Sequence, residues 1–147
     1  MNYSASSVQK AEREAVIDYP LITVKRAVET IFRELDSKYN RLKGGSDVFN
    51  NYQFSIQNSL NPGVGSLYLE EKGDQTLVKI TVTAAYGSIA TNAILESLLS
   101  GYLDVLAKTL KGDSLEVEKK QANKGGCVIL VISLLIIVAG IVAFILM

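Results

Sequence analysis

Histidine and tryptophan are absent from this chain of 147 residues, and cysteine occurs once, at Cys127. Without histidine the chain lacks the commonest general base and the commonest metal ligand. A zinc site, a Cys–His dyad and a Ser–His–Asp triad are therefore excluded within one chain. A single cysteine also excludes a disulfide within the chain. We expect a protein that is not an enzyme and that needs no metal or other cofactor.

The chain also has no net charge, because 15 basic residues balance 15 acidic ones. A neutral chain has no global field that attracts polyanions, so we expect no binding of nucleic acid. Glycines occur close together in Asn61–Gly65, but this segment joins two predicted strands. A phosphate-binding loop needs the N-terminus of a helix behind it. We therefore interpret the segment as a turn.

One long apolar run is present, at Cys127–Met147, and it carries no charged side chain. Its 21 residues would span about 31 Å as a helix, close to the ~30 Å hydrocarbon core of a bilayer. We predict a single transmembrane helix. Lys119, Lys120 and Lys124 precede it, and basic flanks are retained on the cytoplasmic side. The expected arrangement is a tail-anchored, single-pass membrane protein whose N-terminal domain is cytoplasmic.

The apolar run contains small residues that would let a second helix approach closely in lipid. The candidate helix-packing positions are Gly126, Ser133 and Gly140, with Ala139 and Ala143 beside them. Their partner would be a second copy or another membrane protein, although small residues are also common in spans that pack against nothing. Cys127 is a candidate acylation site at the cytoplasmic edge, or else a small apolar residue.

Apolar residues recur at three- and four-residue spacing in two segments, as in amphipathic helices. The first segment begins at Leu21, and its last part, Tyr39–Leu42, could instead begin an extended segment. The second runs over about Ile89–Leu110. Ser88 is its predicted N-cap, and Gly112 lies where a C-terminal glycine is expected.

Four segments have the pattern of strands. Ala15–Ile17 is a short apolar run before Pro20, and apolar and polar residues alternate in 52–57, 66–70 and 78–86. Each alternating strand has one apolar and one polar face, as in an antiparallel sheet covered on one side. The polar face contains candidate residues for docking another protein, namely Gln53, Ser55, Gln57, Tyr68, Thr81 and Thr83. The alternative is a solvated face.

The predicted fold class is α+β, in the order strand, helix, three antiparallel strands and helix, with both helices on one face of the sheet. A single transmembrane helix follows. The predicted organisation has a polar, poorly ordered N-terminus at 1–13, a cytoplasmic domain at 14–112, a charged linker at 113–126 and the span at 127–147.

Two segments of the domain resemble helix-grip domains of the Bet v 1/START-like type. The opening AVIDYPLITVKRAVETIF is similar to their start, in which a strand and a proline lead into an amphipathic helix. The closing segment ILESLLSGYLDVLAKTL is similar to their long final helix. The resemblance covers about residues 14–110. It implies a helix-grip fold that binds lipid or another apolar ligand, although those domains have more strands around the last helix.

Two functions remain open at this point. The first is a non-enzymatic interaction or accessory subunit of a membrane complex, favoured by the single anchor and the missing catalytic residues. The second, implied by the resemblance, is a membrane-tethered binder of lipid or another apolar ligand. Core volume separates them. If Phe32, Phe54, Tyr86 and Tyr102 all point inward, they fill a small grip and leave no cavity.

Overall fold

The computed structural model describes residues 9–42, 50–58, 61–86 and 88–123, with side chains as far as Lys120. The elements in chain order are β1 (Lys10–Ile17), α1 (Leu21–Glu34), β2 (Tyr39–Arg41), β3 (Asn51–Ile56), β4 (Gly63–Lys72), β5 (Gln75–Ala84), α2 (Asn92–Lys111) and α3 (Glu116–Asn123).

The five strands form one antiparallel sheet in the order β1-β5-β4-β3-β2. The first strand therefore lies beside the last one, with Ala15 opposite Val78 and Ile17 opposite Thr76. A tight turn joins β4 to β5, and Gly73 takes a positive φ of 64° there, which glycine adopts without steric cost. The predicted α+β class and its antiparallel sheet are confirmed, with one strand more than predicted.

The additional strand is β2, which occupies the segment whose conformation the sequence left open. Helix α1 ends at Glu34, and Tyr39 and Arg41 pair with Ile56 and Phe54 of β3. Tyr39 is almost fully buried. The extended alternative for Tyr39–Leu42 is thus the correct one as far as Arg41.

Helices α1 and α2 pack on the same face of the sheet, as predicted. Val24, Val28 and Ile31 form the buried stripe of α1. The buried residues of α2 are Leu95, Leu99, Tyr102, Val105 and Leu106. The repeat of three and four residues brings these side chains to one side of each helix. The hydrophobic core lies between this helical layer and the sheet.

The start of α2 differs from the prediction, whereas its end agrees with it. The N-cap is Thr91 rather than Ser88. The Ser88 hydroxyl instead accepts a hydrogen bond from the backbone N–H of Ala90, at 3.2 Å, within the loop before the helix. Gly112 ends the helix with φ 78°, a left-handed conformation that favours glycine.

Two element boundaries also lie elsewhere than predicted. Strand β1 begins at Lys10 rather than at Ala15, so it takes up part of the predicted polar N-terminus. At the other end, β5 stops at Ala84, and Tyr86 is fully exposed in the following loop. The prediction that Tyr86 lies on the apolar face of a strand is therefore wrong, because the sheet pairing ends before the alternation does.

The charged stretch after α2 contains the short helix α3, which lies against the domain. Leu115, directly before it, and Glu118 within it are both buried. Among the described residues, no helix is long and apolar enough to cross a membrane. The predicted transmembrane helix, residues 127–147, lies outside the described residues.

Candidate ligand-binding site

Aromatic rings fill the space between the sheet and α2 on the side of β2 and β3. We call Phe32, Tyr39, Tyr52, Phe54 and Tyr102 the aromatic cluster; each is at least nine-tenths buried. Phe54 stacks on Tyr102 with ring centroids 4.8 Å apart, and Tyr39 meets Tyr102 edge-on at 5.2 Å. Such geometries add to the stabilisation that burial provides. Of the four aromatics expected to fill the grip, Phe32, Phe54 and Tyr102 do so.

A glycine in β4 makes room for the centre of the aromatic cluster. Gly65 lies opposite Phe54 in the sheet, and a Cβ built on Gly65 would come within 2.4 Å of the Phe54 ring. Only a residue without a side chain therefore lets the ring lie against the strand. The interpretation of Asn61–Gly65 as a turn is wrong for its last three residues, because β4 begins at Gly63.

The opposite side of α2 is open, and an apolar groove separates this helix from β1. The groove has a volume of about 260 Å³. We call it the apolar groove, and its lining residues are Ala15, Ile17, Tyr19, Val78, Leu103, Leu106, Ala107, Leu110 and Lys111. The lining thus comes from β1 and the turn after it, from β5 and from the C-terminal half of α2.

One small side chain on β1, that of Ala15, accounts for the groove. Ala11, Arg13, Ala15 and Ile17 alternate along the strand and so share its inner face. A methyl group at position 15 does not reach α2. Arg13 does reach it, with its Nη2 atom 3.1 Å from a carboxylate oxygen of Glu96. The strand and the helix are therefore bridged near Arg13 and separated by the groove farther along β1.

One buried polar atom of the aromatic cluster has no partner. The hydroxyl of Tyr102 is inaccessible to solvent and makes no hydrogen bond within the described part of the chain. Burial raises the pKa of Tyr102, so the hydroxyl stays protonated. An unsatisfied buried hydroxyl costs about 1–3 kcal/mol. Dense packing around Tyr102 thus leaves one hydrogen-bond donor without a partner among the described residues.

Helix α3 is attached to the domain by ion pairs. Lys119 pairs with Glu34 of α1, and Lys108 of α2 pairs with Glu118. Burial is the largest single influence on Glu118 and opposes its ionisation. The hydrogen bond from Lys108, a backbone hydrogen bond and the charges of Lys108 and Lys38 together outweigh burial, so the pKa of Glu118 is lowered. Of the predicted topology flank, Lys119 thus has a structural partner, Lys120 is exposed on α3, and Lys124 lies outside the described residues.

A second cleft of about 440 Å³ lies between α1, the end of α2 and α3. Its charged lining residues have both signs: Arg26 and Lys119 against Glu34, Asp113 and Glu116. A lining of mixed charge favours neither a cationic nor an anionic ligand. In the described ranges no group of three or more His, Cys, Asp or Glu side chains is placed to hold a metal ion.

The six candidate docking residues lie together on the outer face of the sheet, away from the helices. They are Gln53, Ser55, Gln57, Tyr68, Thr81 and Thr83. Cross-strand pairing joins them into rows, since Ser66 lies opposite both Gln53 and Thr81. The other predicted sites, at Gly126, Cys127, Ser133, Ala139, Gly140 and Ala143, lie outside the described residues.

This architecture, an antiparallel sheet packed against the long helix α2, is the helix-grip fold of Bet v 1/START-like structures. It is similar to the crystal structure of Ara h 8.0201, with a TM-score of 0.51 and 13% identity over 71% of this chain and 96% of that chain. A START superfamily protein from Mycobacterium smegmatis gives a TM-score of 0.46 and 12% identity over 70% of this chain and 94% of its own. No family model matches, and no curated protein gives a significant match. Similarity at this identity establishes the fold alone, and a fold does not fix a function.

The groove could not be read from the sequence, which pointed instead to the polar sheet face. Its residues belong to three separate elements, and its main cause is the absence of bulk at Ala15. The available signal was the small inward residue in an otherwise charged strand, Lys-Ala-Glu-Arg-Glu-Ala at 10–15. That alternation indicates a strand. Whether a groove remains beside the strand depends on how closely α2 packs against it, which the sequence does not show.

Proposed function

We propose that this protein binds a small apolar ligand in the apolar groove, and that residues 127–147 hold it at the cytoplasmic surface of a membrane. The groove is the observation that carries the proposal. Lys111 is the single charged residue among the nine that line it. Concave sites lined by aliphatic side chains with few polar groups are typical of small-molecule binding.

The size of the groove restricts the ligand. A volume of about 260 Å³ is slightly below the ~300–1,000 Å³ of drug-sized sites. It suits one alkyl chain or one small ring better than a two-chain lipid. Each methylene buried there would contribute about 0.8 kcal/mol.

The aromatic cluster supports a site at the edge of the interior rather than at its centre. Phe54, Tyr39 and Tyr102 occupy the space under the middle of α2. A ligand can therefore enter between β1 and α2 without displacing a core side chain. Binding of this kind leaves the fold intact when the ligand departs.

The position of α3 favours a ligand that comes from the bilayer. Helix α3 is attached to the domain and ends at Asn123, and the apolar run begins at Cys127. A connection this short would keep the domain near the bilayer surface if residues 127–147 span it.

Photolabelling of the reconstituted full chain tests the proposal. Liposomes carry the protein and a trace of a single-chain fatty acid with a diazirine in its alkyl chain, and labelled peptides are mapped by mass spectrometry. We expect labelling of 15–19 and 103–111 in the domain, in addition to 127–147. Labelling confined to residues 127–147 would overturn the proposal that the groove binds the ligand. Absence of label from 127–147 would overturn the membrane anchor.

A pair of substitutions on β1 provides the matched control. Ala15→Phe places a ring in the groove and should remove label from 103–111. Val16→Phe places the same ring on the outer face, where Val16 is 54% exposed, and should leave the labelling unchanged.

Membrane topology is tested separately, by protease added to sealed vesicles with the cytoplasmic face outward. The domain should be digested, because Lys119, Lys120 and Lys124 precede the apolar run. Protection of the domain would place it on the opposite side.

A second candidate function is an interaction subunit that docks a partner protein through the outer sheet face. The observation that favours it is the continuous row of Gln53, Ser66 and Thr81 across three strands. Thr81→Arg with Gln53→Arg should then remove a partner recovered from gently solubilised membranes. Recovery of the same partners with both arginines present would exclude this face.

A further inference from the structure

We infer that the ligand of the apolar groove is a single-chain amphiphile with an anionic head group, a carboxylate, which Lys111 binds. This inference rests on the proposed function and specifies the ligand class. Lys111 is the last residue of α2 and lines the groove together with Leu110 and Tyr19. The apolar lining of the groove therefore ends at a positively charged side chain.

Lys111 is available to a ligand. Its side chain is exposed and forms no ion pair within the described ranges. Lys108, one turn earlier on α2, is instead held by Glu118. The ammonium group at position 111 can therefore bind an anion without breaking an existing pair.

Two of the acidic residues that adjoin the lining in sequence are already engaged. Glu14, next to Ala15, pairs with Lys79 at 3.1 Å. Asp18 lies between Ile17 and Tyr19, and its carboxylate accepts a hydrogen bond from the side-chain amide of Gln75. The lining itself contains no carboxylate. A ligand anion would thus meet one positively charged side chain and no negatively charged side chain in the groove.

This arrangement fits an amphiphile in which the two chemistries are separated. An alkyl chain would lie along Ala15, Leu103 and Leu106, while the head group stays at the exposed end of α2. A charged hydrogen bond between an ammonium and a carboxylate is roughly twice as strong as one between neutral groups. A fatty alcohol of the same chain length should consequently bind more weakly.

Competition photolabelling of the full chain in liposomes tests the inference. An unlabelled fatty acid and the alcohol of equal chain length compete against the diazirine fatty acid for residues 103–111. We expect the acid to compete about tenfold more effectively. This is the fold-change expected from one ion pair whose strength lies between its value in bulk water and its value near a protein surface. Lys111→Gln should make the acid and the alcohol equal.

Two controls separate binding from a structural role of Lys111. A lysine in the last turn also stabilises α2 through the helix dipole, but that role would not alter the ratio between acid and alcohol. Lys111→Arg should keep the ratio, and Lys25→Gln on α1, outside the groove, should leave it unchanged.

The outcomes distinguish this inference from the proposed function. Equal competition by acid and alcohol in the wild type, with the domain still labelled, would overturn the inference of an anionic head group. The proposal that the groove binds an apolar ligand would stand. Loss of labelling with both Lys111→Gln and Lys25→Gln would also overturn it, because the effect would then be one of membrane charge. No labelling of the domain at all would overturn both.

Discussion

On the β3 side of α2, five aromatic rings pack together with neighbouring centroids 4.8–6.2 Å apart. On the β1 side, the apolar groove separates the same helix from Ala15 and Ile17. One helix thus has a packed flank and an open flank. Bulk at Phe54 and its absence at Ala15 account for the difference. A helix-grip domain can therefore be densely packed at its centre and still have an apolar groove at its edge.

The packed flank should be the most sensitive part of the molecule. Phe54→Ala removes the ring that contacts Phe32, Tyr39 and Tyr102. We expect a loss of about 3–5 kcal/mol in the free energy of unfolding, from lost burial and the remaining cavity. Denaturant unfolding of the solubilised full chain, followed by circular dichroism, measures it.

Tyr86→Ala is the matched control for Phe54→Ala, because Tyr86 is fully exposed, and it should change stability by less than about 0.5 kcal/mol. If both variants lose the same amount, the aromatic cluster is not the centre of the core.

Gly65→Ala probes the same flank by adding an atom. The new methyl group would lie 2.4 Å from the Phe54 ring, so the ring must shift, and we expect a cost of about 1–3 kcal/mol. In a Phe54→Leu background the cost should fall, which a double-mutant cycle detects. Gly101→Ala is a control of opposite sign. Its Cβ would lie 4.0 Å from the nearest neighbouring atom, so the helix propensity of alanine should add about 1 kcal/mol.

Tyr102→Phe tests the orphaned hydroxyl of the packed flank. Removing a buried donor without a partner should raise the free energy of unfolding by about 1 kcal/mol, measured by the same denaturant titration. A loss of stability would instead reveal a hydrogen-bonding group that reaches the Tyr102 hydroxyl in the folded protein.

The open flank should respond least. Ala15→Phe adds a ring to the groove without displacing a core atom, so stability should stay within about 0.5 kcal/mol of the wild type, even though ligand labelling is lost. A cost of several kcal/mol would mean that the two flanks are equally packed.

The contrast between the flanks also explains which features the sequence could predict. Periodicity located β3, β4, β5 and both main helices, because each has a long apolar stripe of its own. It did not settle β2, which has three residues and owes its conformation to pairing with β3. Strand β1 was recognised only at Ala15–Ile17, since its first half has small and charged residues.

The candidate site was harder to predict for a related reason. A packed cluster follows from large residues that the sequence displays, such as Phe54 and Tyr102. A groove follows from a gap between elements that are distant in the chain, here Ala15 and Leu106. The inward-facing aromatics could be expected, whereas the space on the other side of the helix depends on tertiary geometry.

The pairing of β1 with β5 has a consequence for synthesis of the protein. A strand made first cannot find its neighbour until four further strands have left the ribosome, and such distant pairings form slowly. During that interval β1 is an unpaired edge, which invites association with other chains. Lys10, Glu12 and Glu14 alternate along its outer side, and charges of this kind discourage edge-to-edge pairing. The small and charged residues of β1 should thus reduce association of the unpaired strand with other chains until β5 has been synthesised.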